Sequence, residues 1–153
     1  MTSSANIIII NGPNLNMLGM REPEIYGSVT LGDIEEQCHS VAHDLNLHID
    51  FFQSNLEGDL INWVQQAPET YDGVIINPAG YGATSIALLD ALLMTKLPVI
   101  EVHVSNIYRR ESFRHHSYVS LASQGIICGL GAQGYSLALR AMAEIIGVIK
   151  VEE

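Results

Sequence analysis

Positive charge is scarce in this sequence. Seven Lys and Arg stand against 17 Asp and Glu, a formal net charge of −10. Phosphate backbones and anionic membranes are held chiefly by Lys and Arg, so this balance argues against nucleic acid and membrane as partners. Cysteine is scarcer still. Cys38 and Cys128 both lie among apolar residues, and two thiols make no disulfide framework, so they read as reduced core cysteines of a cytoplasmic protein. No apolar run is long enough to cross a bilayer. The opening M-T-S-S-A-N has no basic residue ahead of a strand-like run, so no signal peptide is expected. Also missing are a Walker lysine, zinc-type Cys/His spacing, a G-x-S-x-G elbow, internal repeats, linkers and low-complexity tracts. Neither metal nor cofactor is expected.

What is present suits one globular domain spanning residues 1–153, with 48% apolar and 16% charged residues. Apolar runs alternate with helical patterns. Residues 5–10 (A-N-I-I-I-I) read as a strand buried on both faces. Leu31, Ile34, Cys38, Val41 and Leu45 have helical spacing, with Thr30 placed to cap and Asp33 in the first turn. A second strand is expected over 47–52, a helix over 57–67 and a third strand over 73–78. A helix from about 84 to 95, a fourth strand over 98–104, a fifth over 125–130 and a last helix over 135–149 follow. Between the last two strands lies a polar stretch with room for one helical turn. Five strands alternating with helices predict an α/β fold: a flavodoxin-like, five-stranded parallel sheet, order 2-1-3-4-5, with helices on both faces.

In such a fold ligands bind beyond the carboxyl ends of the strands, where the order reverses. After strand 1 come Asn14, Arg21 and Tyr26; after strand 3, Asn77, Tyr81, Thr84 and Ser85. After strand 4 come Glu101, His103, Ser105, Asn106 and three of the seven cations, Arg109, Arg110 and Arg114. The helix-to-strand turns at the other edge, such as L-N-L-H at 45–48, carry far less. Reactive residues are thus segregated to one end, which marks an active site.

G-L-G-A-Q-G at 129–134 fits the dinucleotide fingerprint and follows a strand. That fingerprint belongs to the first strand of a βαβ unit, and here no further strand follows. The glycines are expected instead to let the last helix start tightly against the sheet.

Glu101 and His103 are two apart on one strand and project to the same face. A carboxylate there would fix the imidazole tautomer and favour its protonated form; a satisfied core histidine is the alternative. His39, His43 and His48 read as surface residues, and His115 and His116 lack so favourable a setting. The arginine cluster reads as an anion site or as a solvated salt-bridge patch. Tyr26 reads as a packing or lid residue, or as a base. Bringing a phenol from a pKa near 10 to about 7 takes about 4 kcal/mol, which guanidinium groups such as Arg21 could supply.

N-G-P-N-L-N-x-L-G-x-R-E-P-x-x-Y-G at 11–27, I-E-V-H-V-S-N at 100–106 and R-x-x-F-R-x-H-S at 110–117 closely resemble type II 3-dehydroquinate dehydratase. The likeness runs in the same order through G-L-G-x-Q-G-Y at 129–135, nearly the whole chain. It implies dehydration of 3-dehydroquinate to 3-dehydroshikimate by anti elimination through an enolate, without metal or cofactor, in the shikimate pathway or in quinate breakdown. Residues about 17–27 would be the mobile lid. Tyr26 would be the base with Arg21 lowering its pKa, and Asn14 would hold a water against the enolate. His103 would be the general acid, oriented by Glu101. Asn77 would bind near the departing hydroxyl, and the backbone N–H groups of Val104 and Ser105 would take the substrate carboxylate. Arg114 would contact ring hydroxyls, Arg110 would lie near Tyr26, and Asp90 would reach a neighbouring subunit's site. The resemblance also implies a homo-oligomer, a dodecamer of four trimers.

One segment departs from the pattern. After strand 3 the family's usual T-H is Gly82-Ala83 here, with Tyr81 a candidate replacement, and Leu89 is apolar where arginine is frequent. The expectation is the same reaction with weaker substrate binding. A non-catalytic flavodoxin-like binding or assembly protein, and a related lyase acting on another hydroxylated cyclic acid, are the alternatives.

Overall fold

The structure, a computed structural model, describes residues 4–20, 24 and 27–150. Arg21 and Tyr26, and with them much of the expected lid, lie outside the described residues. Five parallel strands, β1 (Ala5–Asn11), β2 (Leu47–Gln53), β3 (Gly73–Asn77), β4 (Val99–His103) and β5 (Gly125–Cys128), pair in the order β2-β1-β3-β4-β5. Among the described residues the helices α1 (Leu31–Asp44), α2 (Glu57–Thr70) and α3 (Ile86–Thr95) connect β1 to β4 in turn, and α4 (Gln133–Ile145) follows β5. This is the flavodoxin-like order expected from the alternation.

The four consecutive isoleucines of β1 explain why the sheet must be covered twice. Side chains alternate across a strand. Ile7 and Ile9 therefore join the core beneath α1 and α4 with Ile75, Val102 and Leu139. Ile8 and Ile10 join the other core, beneath α2 and α3, with Leu60, Ile76 and Leu88. Burying each such side chain contributes on the order of 2 kcal/mol, so neither face tolerates water.

Element ends differ from the periodic pattern where local bonds decide. The Thr30 hydroxyl accepts from Asp33 N–H at 3.1 Å and Asp33 Oδ2 accepts from Thr30 N–H at 3.0 Å, a capping box that starts α1 where expected. Helix α2 runs past Ala67 to Thr70 with Pro68 in its final turn, which Tyr71 N–H closes onto Ala67 O at 2.8 Å. Helix α3 starts at Ile86 rather than 84, since Ser85 caps it by accepting from Leu88 N–H at 2.9 Å. Helix α4 stops at Ile145, not 149. Gly147 turns left-handed (φ 81°), and Val148 N–H reaches back to Ala143 O at 2.9 Å, a Schellman closure.

Gly12 lets the carboxyl ends of β1 and β3 meet. A Cβ at this position would come within 2.5 Å of Pro78 O, and the Gly12 N–H donates to Asn77 O at 2.8 Å. The chain can thus leave β1 flush against β3 at the reversal of strand order.

Candidate active site

A cavity of about 330 Å³ opens at this reversal, a volume suited to a small molecule. Its wall comes from three places, each just beyond a strand. After β1, Asn14 turns the chain in a left-handed conformation (φ 68°) that asparagine tolerates. Its N–H is held by Asn55 Oδ1 at 2.9 Å, so the end of β2 braces the loop after β1. After β3, Asn77 lines the cavity with the 79–83 turn. From β4 onward, His103, Val104 and Ser105 line it with Arg110 and Arg114.

Glu101 and His103 do share a face of β4. The His103 Nε2 bonds Glu101 Oε2, and Ser120 Oγ donates to Glu101 Oε1 at 2.6 Å. A carboxylate only accepts, so Nε2 carries the hydrogen of the His103 bond and Nδ1 is left for a molecule in the cavity. Glu101 has no exposed surface. Burial pushes its carboxyl up. Hydrogen bonds from His103 and Ser120, the charge of His103 and the Ser117 hydroxyl beside it outweigh burial and hold it below its ordinary value of 4.5.

A folded value below the unfolded one gives a sign for acid stability. The contribution is complete above pH 4.5 and is lost as pH falls through the lower folded value. Glu101→Gln should therefore flatten the acid limb of a plot of Tm against pH. An acid limb identical to that of the wild type would contradict a charged Glu101.

The arginine cluster divides. Arg110 and Arg114 line the cavity, whereas Arg109 is exposed and does not. Glu111 sits between the two lining cations, with Oε2 at 2.8 Å from Arg114 Nε and 3.9 Å from Arg110 Nε. Two guanidiniums thus line the cavity, with one carboxylate beside both. Asp90 is exposed on α3 and does not line this cavity.

Some residues do other work than expected. Ser85 is a helix cap. Tyr81 does not line the cavity, and its hydroxyl donates to Asn55 O at 2.7 Å, so it is no substitute for a histidine at Ala83. His116, passed over in the sequence, lines the cavity and donates from Nε2 to Ala83 O at 2.9 Å. Its signal was its place in the R-x-x-F-R-x-H-S run just past strand 4. The Ser117 hydroxyl, also in the wall, makes no hydrogen bond of good geometry among the described residues. The 129–134 glycines are not part of the wall.

Among the described residues no group of three or more His, Cys, Asp or Glu side chains could hold a metal ion, and no helix is long and apolar enough to cross a membrane.

The family model for class II dehydroquinase matches residues 5–143. The chain belongs to the class II dehydroquinases. It is 56% identical over 139 residues to the 3-dehydroquinate dehydratase of Brucella canis, covering 91% of this chain and 88% of that one. The crystal structure of the type II dehydroquinase from Propionibacterium acnes superposes with a TM-score of 0.87 at 43% identity, covering 94% of this chain and 99% of that one. That of the Butyrivibrio crossotus type II dehydroquinase gives 0.88 at 38% identity, covering 90% and 97%. The class II dehydroquinase frame thus extends across nearly the whole sheet and the cavity at its reversal.

Proposed function

We propose that the cavity beyond β1, β3 and β4 is where this chain performs its family's reaction, with all 153 residues forming one catalytic domain. The reaction is the dehydration of 3-dehydroquinate to 3-dehydroshikimate, which makes the chain a carbon–oxygen lyase. The observation that carries the assignment is the buried Glu101–His103 pair, whose histidine lines the cavity together with Asn14, Asn77 and two arginines.

Elimination needs a proton removed beside the ketone, a place for enolate charge, and a proton for the departing hydroxyl. Tyr26, with Arg21 and Arg110 as cationic neighbours, takes the first proton. Asn14 holds a water against the enolate oxygen, an oxyanion-hole role. His103, oriented through Nε2 by Glu101, donates from Nδ1 to the leaving hydroxyl. Asn77 binds near that hydroxyl, the N–H groups of Val104 and Ser105 take the carboxylate, and Arg114 contacts ring hydroxyls. Asp90 serves a neighbouring subunit's site.

Assembly fits the surface of α3. Beside Asp90 it exposes Ile86, Leu93 and Met94, the last 72% accessible, and Leu121 is 74% accessible. Apolar residues grouped in this way suit burial against another copy, here in trimers joined as a dodecamer. We read the chain as a cytoplasmic enzyme of the shikimate pathway or of quinate breakdown.

The test is direct. Purified protein mixed with 3-dehydroquinate, without added metal, should raise the ultraviolet absorbance of the conjugated enone. A flat trace at every pH from about 6 to about 9, the range in which groups tuned near neutrality act, would remove the assignment.

A further inference from the structure

The glycine-rich segment at 129–135 has no part in the chemistry above, yet it ends in Tyr135, a fully buried tyrosine. The glycines bring it there. Gly129 turns left-handed (φ 87°) where a Cβ would meet Asn106 Cβ at 2.8 Å. Gly134 seats the first turn of α4 on the sheet, its missing Cβ only 3.3 Å from Val102 Cγ1. The ring of Tyr135 consequently lies beneath the sheet, and its hydroxyl reaches the two strands at the reversal of order.

There it accepts from Asn77 Nδ2 at 2.9 Å and donates to Asn11 Oδ1 at 2.7 Å. Asn11 and Asn77 are register partners of β1 and β3, and both are buried. The chain of bonds continues at each end. Ala79 N–H donates to Asn77 Oδ1 at 3.1 Å, and Asn11 Nδ2 donates to Phe52 O at 3.1 Å. Every link runs in one direction, from Ala79 N–H to Phe52 O. Turning the Asn77 amide over would set its NH2 group against the Ala79 N–H and abolish that bond. Burial pushes the Tyr135 hydroxyl well up, so it stays a neutral donor and acceptor throughout the working range. One Nδ2 hydrogen of Asn77 has no partner among the bonds described, on a residue that lines the cavity.

We propose that Tyr135 is a positioning residue. Its hydroxyl holds the Asn77 amide so that an N–H, not the carbonyl, meets the substrate. This rests on the placement of Asn77 beside the departing hydroxyl. Tyr135 touches no substrate and acts only through Asn77, with Asn11 as the anchor on the neighbouring strand.

The test is a cycle in the full-length assembled enzyme. Tyr135→Phe keeps the ring and removes the hydroxyl, and kcat/KM should fall on the order of tenfold while the pH of each limb of the rate profile stays put. In an Asn77→Ala background the same change should cost less than about twofold, because the group it acts through is gone. Undiminished kcat/KM in Tyr135→Phe overturns the inference, and so does an equal loss in both backgrounds, which would mark a structural role. Should Tyr135→Phe not fold, a crystal structure of the wild type with a cyclic hydroxy-acid inhibitor decides. Asn77 Nδ2 bonded to both Tyr135 and a ligand hydroxyl supports the inference, and Oδ1 facing the ligand overturns it. A wild type inert towards dehydroquinate would instead sink the parent reading, and shows before any variant is made.

Discussion

His103→Gln should fold with nearly the wild-type Tm and lose kcat by roughly 10²–10⁴-fold, the span a positioned general acid contributes. Glutamine can still donate to the Glu101 carboxylate, so the buried pair keeps a bond. What it cannot do is give up a proton. His103→Ala should differ in an informative way, losing similar activity and also stability. Alanine leaves Glu101 buried without its main partner, and breaking a buried ion pair on one side costs about 3–5 kcal/mol. The two variants, compared by steady-state kinetics and thermal melting, separate proton donation from support of the carboxylate. A glutamine variant within about tenfold of wild-type kcat would mean that the proton comes from elsewhere, since that falls short of a general acid's usual contribution. His116 is the other imidazole in the described wall.

Tyr26→Phe should retain the fold and lose turnover by a comparable factor, about 10²–10⁴-fold. The described titratable side chains in the wall are His103, His116, Arg110 and Arg114. Arginine stays protonated and accepts nothing, and His103 is assigned to the other proton. The base is then Tyr26 or His116. A phenol working near neutrality needs about 4 kcal/mol of cationic support, which the proposed assignment draws from guanidinium groups, Arg21 five positions before Tyr26 in the sequence among them. Solvent exchange separates the candidates. In D2O, Tyr26→Phe should no longer exchange the proton beside the ketone, while His103→Gln should still exchange it without eliminating water. Wild-type exchange in Tyr26→Phe would move the base to His116.

Much of this was open to direct reading because it rests on short-range rules. Four isoleucines in succession require a strand covered on both sides. Thr30 and Asp33 satisfy each other's N–H groups and start a helix. Glu101 and His103, two apart on a strand, share a face. Alternating strands and helices leave few right-handed topologies, and the reversal of order then marks the cavity.

Other features depended on groups far apart in the chain. Tyr81 looked like a replacement for the missing histidine until Asn55 O took its hydroxyl. His116 looked idle until the 110–117 segment folded back and put it on Ala83 O. The polar stretch after β4 became three short 3-10 turns, since each is closed by its own local bonds rather than by a helical repeat. Composition and spacing were enough to state the fold class, whereas the roles of Tyr26 and His103 in moving protons are what the family resemblance implies. Which side chains share one cavity, which way the Asn77 amide faces, and which arginines lie beside Glu111 were decided by packing. Those outcomes turn on contacts between residues up to 124 positions apart, as Asn11 and Tyr135 are, and no local pattern encodes them.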